Sequence, residues 1–393
     1  YARGELPQLP ELPIQYADYA CWQREYLAGE RLERHLAYWK QQLAGLPPLF
    51  ELPADWPRPP FPASRGANRS LLLPRSLVSG LSDLARDQQA TMFMVLLAAF
   101  KILLHRYTGR EDLVVGTPVS RRGRKETEPL IGFFLNTLVL RTACSGRLTF
   151  LELLQRVRET VLEGVAHQDL PFETLVAELH PARELSRAPL FQVMFTLQNA
   201  PRPEARFTDL RLDFLDFDLE AAPFDLTLYL EEQPQGLRTV FEYRTDLFAA
   251  ETVDRMLGHY RVLLEAIGQD PRRLVSTLPL LTAPERHQLL DVFGRGDVVS
   301  ERAECLHTLF EAQAGRTPEA AAVLAGAERL TYRALNERAN QLARHLQAMG
   351  VGPETLVGLL VERSLEAMIG LLAVLKAGGA YVPLDPEEPA ERL

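Results

Sequence analysis

Residues 92–104, MFMVLLAAFKILL, form an apolar run interrupted only by Lys101, and this run limits what the chain can fold into. It falls short of the ~20 apolar residues that a membrane span needs, so it belongs to a protein core. It reads as a helix over 92–107 with Gly109 as its stop signal, and DLVVGTP at 112–118 follows as a buried strand. Similar elements surround the pair. A short strand at 71–73 precedes a helix at 76–88, and a second strand runs over 133–141. TFLE at 149–152 is a capping box that opens a helix over 150–166. Pro171 suits the first turn of a short helix, 171–179. A strand at 190–198, a hairpin of 224–230 and 237–243 across QPQG, and a helix at 252–267 complete this part. Upstream, residues 16–44 read as one helix, with Trp22, Tyr26, Trp39 and Leu43 near helical spacing. The Pro-rich stretches 1–15 and 47–62 suit neither helix nor central strand. The pattern predicts a layered α/β fold.

Weak periodicity and turn residues over 269–303 mark a linker. The expected division is 1–270, a linker at 271–303, and a second domain over 304–393. TLFE at 308–311 reads as another capping box, followed by a helix at 332–348, a strand at 356–361, a helix at 365–377 and a strand at 381–384. The 393 residues, 47% apolar and 24% charged, suit two or three globular domains. A net charge of -9 argues against a general nucleic-acid surface. Three scattered cysteines suggest neither a disulfide framework nor a zinc site, which fits a reducing cytoplasm. No signal-peptide core and no membrane span is read. Only four of the 43 basic residues are Lys, which suggests a GC-rich bacterial source. The chain lacks an initiator Met, and both ends read as cuts in a longer protein.

Four segments occur in an order that points to a family. YADYACW at 16–22 resembles the YxDYAxW motif of condensation domains. IGFFLNTLVLR at 131–141 resembles IGxFxNTxxxR, HQDLPFE at 167–173 resembles HxDxPFE, and SRAPLFQVMF at 186–195 resembles SRxPLFQVMF. Farther on, LTY with Leu335, Asn336, Ala339 and Asn340 is similar to the first core motif of adenylation domains. LKAGGAYVPLD at 375–385 is similar to the second. Together these resemble a nonribosomal peptide synthetase: the C-terminal part of a condensation domain, of the type taking an L-configured donor, then the start of an adenylation domain.

The resemblance implies a chloramphenicol-acetyltransferase-like lobe of layered sheet and helices, a linker, and the N-terminal segment of an adenylate-forming α/β domain. It implies amide formation between a donor acyl or peptidyl thioester and an acceptor aminoacyl thioester, both carried on the phosphopantetheine arms of upstream and downstream peptidyl carrier proteins. ATP and Mg²⁺ would serve the adenylation step. The family's HHxxxDG motif, with the active-site histidine, is expected upstream of residue 1, since no two His are adjacent here. The ATP phosphate loop is expected beyond residue 393. The chain would then need the rest of both domains as partners, and by itself be a non-catalytic platform. An epimerisation or heterocyclisation variant of the fold is the other alternative.

Several residues carry two readings. His167 and Asp169 look like a catalytic pair, but alternate spacing does not set them face to face. The structural reading gives Asp169 as a helix cap and His167 as a structural hydrogen-bonding group. Asn136 and Arg141 lie on opposite faces of one strand, and Asn136 could fix local backbone or line a tunnel. Gln192 could face the tunnel or be structural, and Trp22 could be packing or tunnel wall. The basic run holding Arg121, Arg122 and Arg124 is either a solvated loop or a contact to a pantetheine phosphate or carrier protein. Lys376 and Asp385 read as structural. No metal site is expected.

Overall fold

The computed structural model of the chain describes residues 11–46, 51–61, 65–180, 187–198, 221–294 and 305–389. Most of the Pro-rich N-terminus, Ser186 of the fourth motif and 295–303 of the expected linker lie outside the described residues. The chain divides into two compact units, 1–294 and 295–393.

The first unit opens with α1 (Tyr16–Tyr26) and α2 (Glu30–Gln42). The sequence predicts one helix here; Gly29, at φ 57°, breaks it by adopting a left-handed backbone that glycine alone holds without strain. There follow β1 (Gly66–Pro74), α3 (Arg75–Asp87), α4 (Met92–Thr108), β2 (Asp112–Ser120), β3 (Leu135–Ala143), α5 (Phe150–Ala166) and α6 (Phe172–Leu179). The unit closes with β4 (Val193–Gln198), β5 (Leu226–Gln233), β6 (Gly236–Arg244), α7 (Ala250–Gln269) and α8 (Ala283–His287).

Its six strands make one mixed sheet in the order β1-β6-β5-β4-β2-β3. β4 runs parallel to β2 and β5, and the other neighbours are antiparallel. α4 is buried from Met94 to Leu104, as its all-round apolar sequence requires. Its Phe100 meets Phe195 of β4, Phe241 of β6 and Tyr260 of α7. Alternate residues Val193, Phe195, Leu226, Leu228 and Phe241 thus face the helices, and the intervening residues face the other way. Among the described residues no single helix is long and apolar enough to cross a membrane.

Local chemistry sets the boundaries. The Thr149 hydroxyl accepts from the Glu152 amide at 3.2 Å, and the Glu152 carboxylate accepts from the Thr149 amide at 2.7 Å, closing the predicted capping box. The strand expected at 190–198 begins only at Val193. Leu190 sits at φ 70° and the Phe191 amide donates to the Pro189 carbonyl at 2.9 Å. This tight turn holds a non-glycine residue in a conformation costing about 1–3 kcal/mol. The reason is Phe191, whose ring lies so close over Gly116 that any Cβ there would sit 2.2 Å from it.

Residues 271–287 differ from a free linker. Val275 and Leu278 are buried in the first unit, Arg106 donates to the Leu278 carbonyl at 2.8 Å, and the Phe150 amide donates to the Arg273 carbonyl at 3.1 Å.

The second unit contains α9 (Leu306–Arg316), the hairpin β7 (Ala321–Ala325) and β8 (Glu328–Thr331), α10 (Tyr332–Ala348), β9 (Leu356–Leu360), α11 (Leu365–Ala377) and β10 (Ala380–Leu384). β9 and β10 pair in parallel through the α11 crossover. The capping box expected at 308–311 does not form. α9 starts earlier, with Cys305 as its N-cap, so Thr308 and Glu311 lie within the helix.

Candidate functional site

Three of the four condensation-like motifs meet at one end of the first unit. α1 projects Tyr19, Trp22 and Tyr26 from one face, at helical spacing. The loop after β2 brings Ser120, Arg121, Gly123 and Arg124, and the turn after α5 brings Gln168 and Asp169. Together they line an open pocket of about 190 Å³. Its aromatic wall is continuous: Trp22 lies 4.7 Å from Tyr26 and 5.8 Å from Tyr19 between ring centroids, and Tyr19 packs on Phe134 at 4.8 Å. The wall is tied to the IGFFLNTLVLR segment by Tyr16, whose hydroxyl donates to the Phe133 carbonyl at 3.0 Å. Gly132 is needed there, since a Cβ would sit 2.3 Å from the Tyr16 ring.

The three arginines have different tasks. Arg122 is fully engaged: its Nη1 donates to the carbonyls of Thr127, Glu128 and Leu130, and its guanidinium lies 4.3 Å from the Phe134 ring centre. Arg121 donates to the Asp169 carbonyl at 2.7 Å, and to the Gln23 side chain once that amide presents its oxygen. Arg124 lies 4.2 Å over the Trp22 ring, a cation–π contact at the pocket wall. Arg121 and Arg124 therefore give the pocket its positive character, and Arg122 braces the loop.

His167 and Asp169 do not act on each other. His167 caps the C-terminus of α5, and its Nδ1 lies 3.0 Å from Nδ1 of buried His35, one ring donating and the other accepting. Its ring stacks on Tyr38 at 4.0 Å, and Trp39 donates to its carbonyl at 3.1 Å. Burial lowers the pKa of both histidines. The pair anchors α2. Asp169 lines the pocket and is not the cap of α6, whose N-cap is Pro171. The capping comes from Asn136, whose Oδ1 accepts from the Phe172 amide at 3.0 Å. Its Nδ2 donates to the carbonyls of Gln168 and Leu170, both at 2.8 Å. Every polar atom of this buried amide is used, so it fixes the turn that carries Gln168 and Asp169.

Arg141, on the other face of β3, pairs with Asp112 through Nε and Nη2, the shortest contact being 2.7 Å. It also donates to the carbonyls of Gln42 and Ala44 at the end of α2. Buried Gln192 donates to the Ala188 carbonyl at 3.1 Å, outside the pocket. The sequence reading overlooked His35 and Tyr38. Their signal was there, since 35, 38, 39 and 42 share one helical face. Among the described residues no group of three or more His, Cys, Asp or Glu could hold a metal ion.

Comparison with known proteins identifies the family. Residues 1–290 match the condensation domain family, and residues 310–393 match the AMP-binding enzyme family. Two linear gramicidin synthase subunits of Brevibacillus parabrevis are 51% and 48% identical to this chain, each over 100% of its length. The chain spans about 8% of the length of each. Among solved structures, the nonribosomal peptide synthetase FmoA3 superposes with a TM-score of 0.80 at 26% identity, over 98% of this chain and 41% of that one. The X-domain from teicoplanin biosynthesis superposes with a TM-score of 0.66 at 32% identity, over 71% of this chain and 65% of that one. The chain belongs to the condensation-domain family of nonribosomal peptide synthetases, and the opening of an AMP-binding domain follows it.

Proposed function

We propose that residues 1–294 supply the carrier-facing part of a condensation domain. That domain would join a donor acyl or peptidyl thioester to the amine of an acceptor aminoacyl thioester, both held by peptidyl carrier proteins. The observation that carries this reading is the pocket where Trp22, Arg121, Arg124 and Asp169 converge from three separate segments. An aromatic wall beside two guanidinium groups suits a slender polar chain ending in a phosphate, as a phosphopantetheine arm does. Trp22 would pack along the arm, and Arg121 and Arg124 would draw in its phosphate or an acidic carrier surface. Thioesters are already activated, so what these residues contribute is orientation and capture of the two chains.

The histidine of the family motif HHxxxDG is not among residues 1–393. This reading therefore gives these residues a positioning role and predicts no amide formation by this chain alone. The motif wording favours an L-configured donor. ATP and magnesium belong to the adenylation reaction of the full enzyme, and no residue of 305–389 is assigned to hold them.

The test is a condensation assay with loaded donor and acceptor carrier proteins and mass-spectrometric detection of the amide. It uses this chain, a chain extended upstream through the HHxxxDG segment, and the extended chain with Trp22→Ala or Arg124→Ala. Product only from the extended chain, reduced about tenfold or more by either substitution, is the expected result. Product from residues 1–393 alone would overturn it and return attention to His167 and Asp169.

A further inference from the structure

The sheet face turned away from the helices carries a second polar site. Cross-strand register sets Thr227 of β5 directly beside Glu242 of β6 and Met194 of β4, and sets Tyr229 beside Thr196. Thr227 is 1% exposed, and its hydroxyl makes no well-formed hydrogen bond, although it lies close enough to Glu242 and Tyr229 to lower the pKa of both. The Thr196 hydroxyl and Glu242 Oε1 also have none. Burial raises the pKa of Glu242, and the neighbouring Thr227 hydroxyl offsets only part of this. Tyr229 is shifted up by burial and then by the Glu242 charge, which places the phenol near the carboxylate. No cation contributes to the Glu242 shift. A sheet face does not ordinarily retain a carboxylate oxygen and neighbouring hydroxyls without well-formed hydrogen bonds, because each costs about 1–3 kcal/mol. Well-packed apolar residues of the same size would be cheaper there.

We infer that Glu242, with Thr227 and Tyr229, forms a binding subsite for a primary ammonium group. An ammonium brings three donors and a positive charge. The Glu242 carboxylate on β6 and the Thr227 hydroxyl on β5 are a directly opposed pair one strand spacing apart, with Tyr229 two residues along β5 on the same face. The inference rests on the proposed function for its natural ligand, the α-amine of the acceptor aminoacyl group. Glu242 is then a positioning residue that holds the amine before attack.

The first arm of the test uses this chain with glutamate labelled at the side-chain carboxyl, and follows the Glu242 resonance by NMR. L-alaninamide is titrated against N-acetyl-L-alaninamide, which has no ammonium. The free amine should shift the resonance and the acetylated probe should not. Glu242→Gln lacks the labelled carboxyl and is read by isothermal titration calorimetry; it should bind the amine about tenfold more weakly, and Thr227→Val should weaken binding less. Melting by circular dichroism checks that both variants fold. Equal response to the two probes, or unchanged binding in Glu242→Gln, overturns the inference.

The second arm measures acceptor KM in the upstream-extended chain, which Glu242→Gln should raise with kcat changed less. Amide formation with an unchanged KM would refute the subsite and leave the proposed function standing. Glu242-dependent binding of alaninamide without any amide formation would do the reverse.

Discussion

Lys101 shows how one residue can read as an irregularity in the sequence and carry an energetic consequence in the fold. It is the only charge in the apolar run of α4, and the fold buries it completely. Its ammonium has no carboxylate partner among the described residues and donates to the carbonyls of Leu140 at 2.8 Å and Leu113 at 3.4 Å. Burial brings its pKa down to about 7 from an ordinary 10.5. Between these values the unfolded chain holds a proton that the folded chain does not, so stability rises with pH from about 7 toward 10.5 and falls as pH drops back through that window. The slope approaches about 1.4 kcal/mol per pH unit from this group. Urea denaturation of the wild type and of Lys101→Met at pH 7 and pH 9 isolates the effect. The advantage of Lys101→Met should be larger at pH 7 and shrink at pH 9, and a constant difference would refute the argument. The sequence shows the lysine inside an apolar run but not its partners. Those come from strands 12 and 39 residues away, whose edges are set by tertiary packing.

Elements were most legible where a side chain close in sequence ends them. Thr149 with Glu152 marked α5 to the residue, and the left-handed Gly109 marked the end of α4. Where a distant side chain sets the boundary, local reading failed. Leu190 is forced out of the strand by Phe191 against Gly116, and the α6 cap is Asn136 from another element, not nearby Asp169. The second unit shows the same effect at Glu311. The residues TLFE look like a cap in sequence, yet Glu311 is turned toward α11. There Lys376 binds it, together with Asn336 and Asn340 of α10, each at 2.8 Å. Asn336 and Asn340 are one helical turn apart and so present both oxygens to one ammonium. This cluster gives a physical reason for two motifs that the sequence can only match by resemblance: Asn336 and Asn340 of the first hold Lys376 of the second. The Lys376 side chain is 4% exposed, although Glu311 is largely open to water and adds little. Lys376→Met leaves two oriented amides without their donor and should cost about 2–4 kcal/mol in unfolding of the second unit. Arg at this position should restore only part of that, because a planar fork cannot reach three acceptors grouped around one point. Full stability in Lys376→Met would show the cluster to be incidental.

At the scale of the whole chain, the mixed α/β class was readable from alternating periodicities, but the packing of residues 271–287 was not. Residues 271–303 look like linker because turn residues and Pro hide the few apolar positions. The fold uses those few. Val275 and Leu278 fill the core, Leu274 bridges to Thr149, and the Phe150 amide at the start of α5 depends on the Arg273 carbonyl. Beyond them His259 of α7 contacts the Glu285 carboxylate at 3.0 Å and accepts from the Tyr107 hydroxyl at 2.8 Å. Glu285 in turn caps α8 through the Thr282 amide and hydroxyl. Burial lowers the His259 pKa more than Glu285 raises it, so the ring is neutral at pH 7, with Nε2 donating to Glu285 and Nδ1 accepting from Tyr107. We therefore propose that the condensation part extends through α8. A chain ending at 270 uncovers Leu148, Phe150 and the α4 side of the core. It should lose about 3 kcal/mol or more compared with one ending at 294, from the buried Val275 and Leu278 side chains and the hydrogen bonds around them. Chemical denaturation of the two truncations compares them directly, and equal midpoints would return the boundary to 270.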